Sequence, residues 1–521
     1  MDRRGRARYC LITAALAIAV ISGPAVRASD ADPVGVVLLR QVDASLTGSG
    51  VRVAQPEAGY PAWEVNPVAV PQPASLFSFI GSNGTVTGIY PNAGGSESSH
   101  ADWVGSIFYG SAAGLSPGVS HVDNYDANYF INVVVGSRAA VPAKIVNQSF
   151  IFPGGTVADQ QASDLDYDFI AAQNNILFVS GAGNGGPVYP PSTSYNGLSV
   201  AAYGVGASSS VGPTADNGRS KPDLTAPASV TSASTPMVSG AAALLVQAGA
   251  RGDGGVGTST AAVDIRTVKA LLLNGAIKPA DWTRSGASPL DARYGAGVVN
   301  VFNSWAQLSG GRHSAIETTS ASLGAAHPPG ANPGNISTAS GWDMASLSTS
   351  ASADKVNHYY FNFSNGRSNS LTATLVWNRA AGQAGLNNLD LFLYDTRDGR
   401  LVASSLSTVD NVEHIYIPAL PPGRYDLQVF KKGGAGVVSN TETYALAFET
   451  YAMALRVSSG VSGTTLTWPL APTGFTLETS TNLVGVSSWS AVTGAVSVGS
   501  GQNSVAVPAS AGSAFFRLRR P

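Results

Sequence analysis

A serine stands at the mouth of an apolar helix. The run Thr231-Ser-Ala-Ser-Thr-Pro-Met-Val-Ser-Gly-Ala-Ala-Ala-Leu-Leu passes from hydroxyls into a stretch expected to be helical from Pro236 to about Ala248. Pro236 suits a first helical turn, where its missing N–H costs nothing. Ser232 then lies just before a helix N-terminus, facing unpaired N–H groups and the positive end of the helix dipole. Such a place suits a nucleophile, because negative charge develops nearby during acyl transfer. It equally suits a cap, and Ser232 or Ser234 as a plain helix cap is the competing reading.

The elements around this serine alternate. Apolar strands are expected over Ala143-Lys-Ile-Val-Asn-Gln, Asn175-Ile-Leu-Phe-Val-Ser and Leu198-Ser-Val-Ala-Ala, and helices over Ala162 to Asn174 and Val263 to Asn274. Strands interleaved with helices imply a parallel sheet covered on both faces. From about Asp354 the pattern changes to short period-2 runs, such as Leu371-Thr-Ala-Thr-Leu-Val-Trp and Thr443-Tyr-Ala-Leu-Ala-Phe, which read as a β-sandwich. A shorter β pattern follows from about Ala454.

The composition fits. Charged residues make up 12% of the 521-residue chain, about half the usual share, and the formal net charge is −2. Nothing in that balance favours a nucleic acid or an acidic membrane as partner. Four arginines among the first eight residues, an apolar run from Tyr9 to about Ile21 and small residues at Val26 and Ala28 read as a signal peptide cleaved after Ala28. The single cysteine, Cys10, lies inside that signal, so the exported chain is expected to hold no disulfide, and because no later apolar stretch reaches spanning length it is expected to hold no integral membrane segment.

Six segments together carry a family resemblance. The Ser232 segment resembles the Gly-Thr-Ser-x-Ala-x-Pro motif of subtilases, the subtilisin-like serine peptidases. Ser99-His-Ala-Asp-Trp-Val-Gly resembles their histidine motif, and Phe178-Val-Ser-Gly-Ala-Gly-Asn-Gly-Gly their Ala-Ala-Gly-Asn-x-Gly segment. Gly50-Val-Arg-Val-Ala-Gln-Pro-Glu-Ala-Gly resembles the first strand, with Glu57 where the family has Asp. Arg219-Ser-Lys-Pro-Asp-Leu-Thr-Ala-Pro and Arg293-Tyr-Gly-Ala-Gly-Val-Val-Asn resemble further family segments. The resemblance implies a three-layer α/β domain and endopeptide hydrolysis through an acyl-enzyme. It makes Ser232 the nucleophile, His100 the general base, Glu57 the acid that orients it and Asn184 an oxyanion donor. Ser149 and Gly181, Ala182 and Gly183 are implied to pair with the backbone of a protein or peptide substrate. Asp102, two residues from His100, is too close in sequence to serve as the acid.

Several positions depart from the family. Val230 replaces the glycine before Thr231-Ser232, Ile151 replaces a glycine of the substrate strand, and Pro227 to Ser232 is short. Some 20 residues between Ala28 and Gly50 leave little room for an inhibitory propeptide. These features define a rival class: a pseudopeptidase that keeps the fold and acts as an extracellular binding or adhesion protein.

The expected organisation is a signal peptide (1–28), an α/β peptidase domain (29–312), a Gly/Ser/Thr-rich linker (313–350), an all-β sandwich like that of secreted subtilases (351–451) and a small β module (452–521). An exported bacterial protein is expected, extracellular, periplasmic or held at the cell surface. No cofactor is expected for catalysis. Structural calcium is a candidate ion, with Asp390, Asp410 and Glu413 as its oxygen donors or, alternatively, as turn residues. The β domains are candidates for cell-surface or carbohydrate contact.

Overall fold

The computed structural model describes residues 34–519, apart from 92–93, 154, 323–333, 350–352, 365, 435, 453, 461–462, 482–488, 493–495, 500–501 and 508–513. The expected signal peptide and Cys10 lie outside the described residues. In chain order the first strands are β1 (Arg52–Glu57), β2 (Ala62–Glu64), β3 (Phe77–Ile80), β4 (Val86–Thr87), β5 (Ser96–Glu97), β6 (His121–Asp126), β7 (Ile145–Gln148), β8 (Leu177–Gly181), β9 (Leu198–Tyr203) and β10 (Leu224–Pro227). Strands β2 and β5 pair with each other, and the main sheet runs β10-β9-β8-β7-β1-β6-β3-β4. Every pairing in it is parallel except the terminal β3–β4 hairpin. From β1 the chain builds β3 and β6 on one side and then crosses to β7 on the other. Strands β1 and β7 therefore flank a topological switch point, where open α/β sheets leave a crevice beyond their strand ends.

The helices are α1 (Val36–Val42), α2 (Ser99–Phe108), α3 (Ala127–Tyr129), α4 (Val157–Asn174), α5 (Thr231–Ala250), α6 (Ser259–Ala262), α7 (Ile265–Asn274) and α8 (Val301–Ser309). Strand alternation sets the layers. Phe178 of β8 meets Tyr167 of α4 edge-to-face at 4.9 Å. Gly181, of opposite parity, faces α5, where an added Cβ would lie 3.1–3.2 Å from the Thr235 and Thr231 hydroxyls. Helix α5 is buried along almost its whole length, and its side chains are mostly small, with hydroxyls near its start and apolar residues beyond. Gly240 lets it approach the Leu115 segment, since a Cβ there would lie 2.5 Å from Leu115 Cβ.

Two helix starts lie five residues ahead of expectation, while α7 starts two residues after it, behind the Asp264 cap. Helix α4 begins at Val157, five residues early, because Thr156 and Asp159 form a reciprocal capping box. Helix α5 begins at Thr231, which puts Pro236 inside it rather than in its first turn.

The next strands are β11 (Glu317–Ser322), β12 (Ser340–Ser348), β13 (Ala353–Phe363), β14 (Asn369–Trp377), β15 (Leu389–Asp395), β16 (Arg400–Ser405), β17 (Val412–Leu420), β18 (Gly423–Lys431) and β19 (Thr441–Tyr451). They form two antiparallel sheets, β11-β13-β18-β15-β16 and β12-β19-β14-β17. Strands β11 and β12 come from the segment expected as linker. Its Ser/Thr-rich composition concealed Trp342 and Leu347, which are buried, and a Trp342 indole N–H that reaches Leu308 C=O of α8 at 3.2 Å. Between the sheets lie Tyr359, Phe361, Leu371, Leu375, Trp377, Leu391 and Leu427. Strand β14 is buried on both faces: Leu371, Ala373 and Leu375 enter this core, while Val376 joins the core of the first unit. Thr374, on that second face, donates to Asn274 Oδ1 of α7 at 2.9 Å.

The sandwich is thus docked on the α/β unit, and polar groups fix its register. Arg379 lies 2.7 Å from Asp168 of α4, an ion pair by distance whose angle falls short of a directed hydrogen bond. Asn196 holds the Arg379 backbone twice, accepting its N–H at 2.8 Å and donating to its C=O at 2.9 Å. The guanidiniums of Arg219 and Arg379 both lie over the Tyr195 ring, at 3.8 and 4.4 Å. The remaining strands, between Arg456 and Arg519, surround a small core of Leu466, Trp468, Leu477 and Val505. They are tied back through Thr473, whose N–H and hydroxyl reach Asn303 Oδ1 of α8 at 2.8 and 3.0 Å. No helix among the described residues is long and apolar enough to cross a membrane.

Arg379→Ala removes one member of a buried pair and leaves the Asp168 carboxylate without its cation. It should destabilise the docked protein by about 3 kcal/mol. Urea unfolding of the two proteins checks this, and an unchanged midpoint would mean that the Arg379–Asp168 pair adds nothing to the docked sandwich.

Candidate functional site

Strand β1 ends in Gln55-Pro56-Glu57, and its alternation sends Gln55 and Glu57 to the same side. Gln55 Nε2 donates to Ala101 C=O at 3.0 Å and its Oε1 accepts the Tyr109 hydroxyl at 2.7 Å. These bonds stitch the strand end to α2. Ser98 caps α2, accepting the Ala101 N–H at 3.2 Å, and so fixes the turn that carries His100. Glu57 Oε1 lies 2.8 Å from His100 Nδ1 and also accepts the Ala58 N–H at 3.2 Å. The extra methylene of glutamate therefore does not separate the pair. Glu57 is 2% exposed. Its charge holds the His100 imidazole above the ordinary histidine range, against the opposing effect of burial. With Nδ1–H given to the carboxylate, Nε2 is the nitrogen left to take a proton.

Asp102 turns elsewhere, accepting the Asn66 N–H at 2.6 Å. Burial pushes its carboxyl up to about 7, with the neighbouring Glu97 carboxylate contributing. Glu97 in turn accepts the Tyr90 hydroxyl at 2.7 Å.

The N-terminus of α5 is closed by neither serine. Val230 holds the cap position and offers no side-chain bond. Asn184, from the turn after β8, supplies the cap: its Oδ1 accepts both the Thr231 N–H and the Thr231 hydroxyl at 2.8 Å. An N–H can only donate, so this contact fixes which end of the amide faces the helix. The Asn184 NH2 faces away, with no hydrogen-bond partner among the described residues. The Ser232 N–H, in the first turn of α5, is likewise unpaired. Ser234 and Thr235 donate back to Thr231 C=O, at 3.1 and 2.6 Å, which removes them as caps.

Pro236 has its own consequence here. It lacks the N–H that would bond Ser232 C=O four residues back. Ser149 fills that gap, its hydroxyl donating to Ser232 C=O at 3.2 Å. The Ser232 hydroxyl in return donates to Ser149 C=O at 3.4 Å, a long bond. No Ser232–His100 hydrogen bond forms in this arrangement. Rotation about one side-chain bond redirects the hydroxyl, and such contacts are often loose before a substrate arrives.

Not all of the expected substrate-pairing backbone is open. The Ala182 N–H bonds Val200 C=O at 2.9 Å, and Gly183 C=O accepts the Ser210 N–H at 2.7 Å. Both groups are used inside the fold, so pairing through them is closed. Gly183 has φ +107°, which only glycine adopts readily, and a Cβ there would lie 2.7 Å from Ser210 Oγ and 3.2 Å from Ile151 Cδ1. Ile151 thus packs over the Asn184 turn. The roles of Thr231, Ser208 and Ser210 around this turn carried no signal in the sequence beyond a run of serines.

The three acidic candidates of the sandwich are engaged with donors. Asp410 accepts the Ser220 N–H and the Ser407 hydroxyl at 2.7 Å, and Glu413 accepts the Ser407 N–H at 2.6 Å and the Ser405 hydroxyl. Asp390 has the Asn388 amide at 3.4 Å, and burial pushes its carboxyl up to about 6. Among the described residues no group of three or more His, Cys, Asp or Glu could hold a metal ion.

Residues 109–297 match the family model described as the Subtilase family. The match holds Asn184 and Ser232 and leaves out Glu57 and His100. The chain is similar to several solved proteases. They include the self-cleaved protease domain of PatA (21% identity, 51% of this chain and 100% of that one, TM-score 0.35). The prenylagaramide maturation protease PagA is another (19%, 53% and 98%, TM-score 0.38). A third is the psychrophilic subtilisin-like protease Apa1 from the Antarctic psychrotroph Pseudoalteromonas sp. AS-11 (13%, 53% and 97%, TM-score 0.34). No curated protein matches the chain.

Because the Glu57 charge raises the His100 pKa, the pair stabilises the fold fully below the unfolded value of about 6.5. That contribution is lost as pH rises through the higher folded value. Glu57→Gln removes the charge and should lower the His100 pKa, measured by NMR titration of the imidazole. An unchanged titration would show that Glu57 does not act on His100 in solution.

Proposed function

From the premise that this chain carries a subtilase-family domain, we propose that it is a secreted serine endopeptidase with glutamate in the acid position. The observation that carries this reading is the Glu57–His100 contact of 2.8 Å at the switch point of the sheet. The imidazole it orients keeps Nε2 free to accept the Ser232 proton. Ser232 then attacks the scissile carbonyl, forming a tetrahedral intermediate and, on loss of the amine, an acyl-enzyme that water hydrolyses. The negative oxygen would meet the Ser232 N–H and the Asn184 NH2, two unpaired donors beside a buried helix N-terminus. Both are held before the substrate arrives, so little reorganisation is needed.

Substrates are proteins or peptides, as the family implies. Gly181 and Ser149, the latter once it releases the Ser232 turn to which it is bonded, are the candidates for contact with substrate backbone, while the Ala182 N–H and Gly183 C=O support the turn. The basic, then apolar N-terminal segment with Val26 and Ala28 supports export from a bacterial cell. In this reading the β-sandwich braces the α/β unit through α7 and α8 and carries any surface or carbohydrate contact, and catalysis needs no cofactor. The rival reading, a non-catalytic binding protein, is favoured by Val230 at the cap of α5 and by Ile151 over the Asn184 turn.

Labelling with a serine-reactive fluorophosphonate separates the two. The mature protein should label, and Ser232→Ala and His100→Ala should abolish the signal. Asn184→Ala removes both the oxyanion donor and the cap on Thr231, and should lower kcat for peptide cleavage about 100-fold or more. Folded protein that does not label, beside an active subtilase that does, would overturn the peptidase reading and favour the non-catalytic rival.

A further inference from the structure

We propose that Ser208 and Ser210 are positioning residues that aim the Asn184 amide, a role that rests on the oxyanion reading above. Three consecutive residues of the Asn184 turn are each held by the segment after β9. Gly183 C=O accepts the Ser210 N–H at 2.7 Å. Asn184 C=O accepts the Ser208 hydroxyl at 2.6 Å. The buried Ser210 hydroxyl bridges Gly185, donating to its C=O at 2.9 Å and accepting its N–H at 3.4 Å. The same segment reaches the other side of the site. The Ser208 N–H bonds Ser229 C=O at 2.8 Å, and Ser208 bridges Val230 in parallel, just before Ser232.

Residues 208–210 therefore splint the turn that carries Asn184 to the chain that enters α5. The need for a splint follows from the sequence. Only Ala228, Ser229 and Val230 separate β10 from α5, too few to wrap the site themselves. The turn is rich in glycine, with Gly183, Gly185 and Gly186 all at positive φ, and has little stiffness of its own. Its one side-chain anchor, Asn184 Oδ1 on Thr231, fixes the amide at a single point. A second set of bonds to the backbone on both sides of Asn184 is what stops the turn from pivoting about that point. A shift of a fraction of an ångström at the NH2 matters, because the donor must meet the oxygen of the intermediate rather than that of the substrate.

The test is peptide cleavage by the full mature protein, with concentrations set by active-site titration so that misfolded molecules are not counted. Ser208→Ala/Ser210→Ala should lower kcat about tenfold or more and leave KM within about twofold, because the effect lies in the transition state. Ser208→Thr, which keeps the hydroxyl, should retain wild-type kcat. In an Asn184→Ala background the same two substitutions should have no further effect, since there is no amide left to aim. An equal loss of kcat with and without Asn184 would overturn the proposal, as would an unchanged kcat in the double variant of an active enzyme. If Asn184→Ala itself leaves kcat unchanged, the oxyanion reading fails first, and the result is separable from failure of the splint.

Discussion

A long helix buried with its N-terminus inside the protein leaves N–H groups that water cannot reach, and something must answer them. In this protein the answer to the first N–H of α5 is the Asn184 side chain, brought from the end of β8. The next N–H, that of Ser232, is unanswered. That single arrangement organises the surroundings. It sets the direction of the Asn184 amide, holds the Ser232 turn against the strand ends, and requires glycine at Gly183 so that the chain can bend back over Ser210.

Two further constraints converge on the same place. Pro236 inside α5 frees Ser232 C=O, and Ser149 at the end of β7 takes it up. Glu57 at the end of β1 meets His100 across the first turn of α2. Each contact joins a strand terminus to a helix start, and the strands concerned, β1, β7 and β8, are adjacent in the sheet. The order of strands thus assembles side chains that are 43 to 92 positions apart in their pairings into one crevice. Ser239, one face of α5 further on, extends this with a 2.8 Å bond to Asn147.

The sandwich has a different logic. A strand such as β14 that is buried on both faces needs a partner on each, and α7 provides the second. The interface combines apolar contact with groups that fix register, among them the Asn196–Arg379 pair of backbone bonds. A low proportion of charged residues across the chain fits such a molecule, in which faces that would otherwise be solvated are covered by the next unit.

How far the sequence reached can be followed residue by residue. Apolar strands alternating with helices gave the parallel sheet, and period-2 runs gave the sandwich, because burial imposes those periods directly on composition. The motif places of Ser232, His100, Asn184 and Glu57 are legible in the sequence because they are local, and the fold brings Glu57 to His100 and Asn184 to the first residue of α5. The start of α5 lies five residues ahead of the expected one, since a proline usually marks a first turn and nothing local shows that a distant asparagine caps the helix earlier. Strands β11 and β12 lie in the segment expected as linker, where a few scattered large apolar residues, Trp342 and Leu347 among them, interrupt a composition typical of loops. The Ala182 N–H and the Gly183 C=O are taken by Val200 and Ser210, partners that sequence proximity does not reveal. The sequence by itself determined the element types and the chemistry available at each position, because those depend on neighbours along the chain. Tertiary structure decided that Glu57 reaches His100 despite its extra methylene, that Asn184 rather than a serine caps α5, and that Ser208 and Ser210 hold the turn. These depend on distances between chain segments, which are fixed only when the sheet sets its strand order and the helix is buried against it.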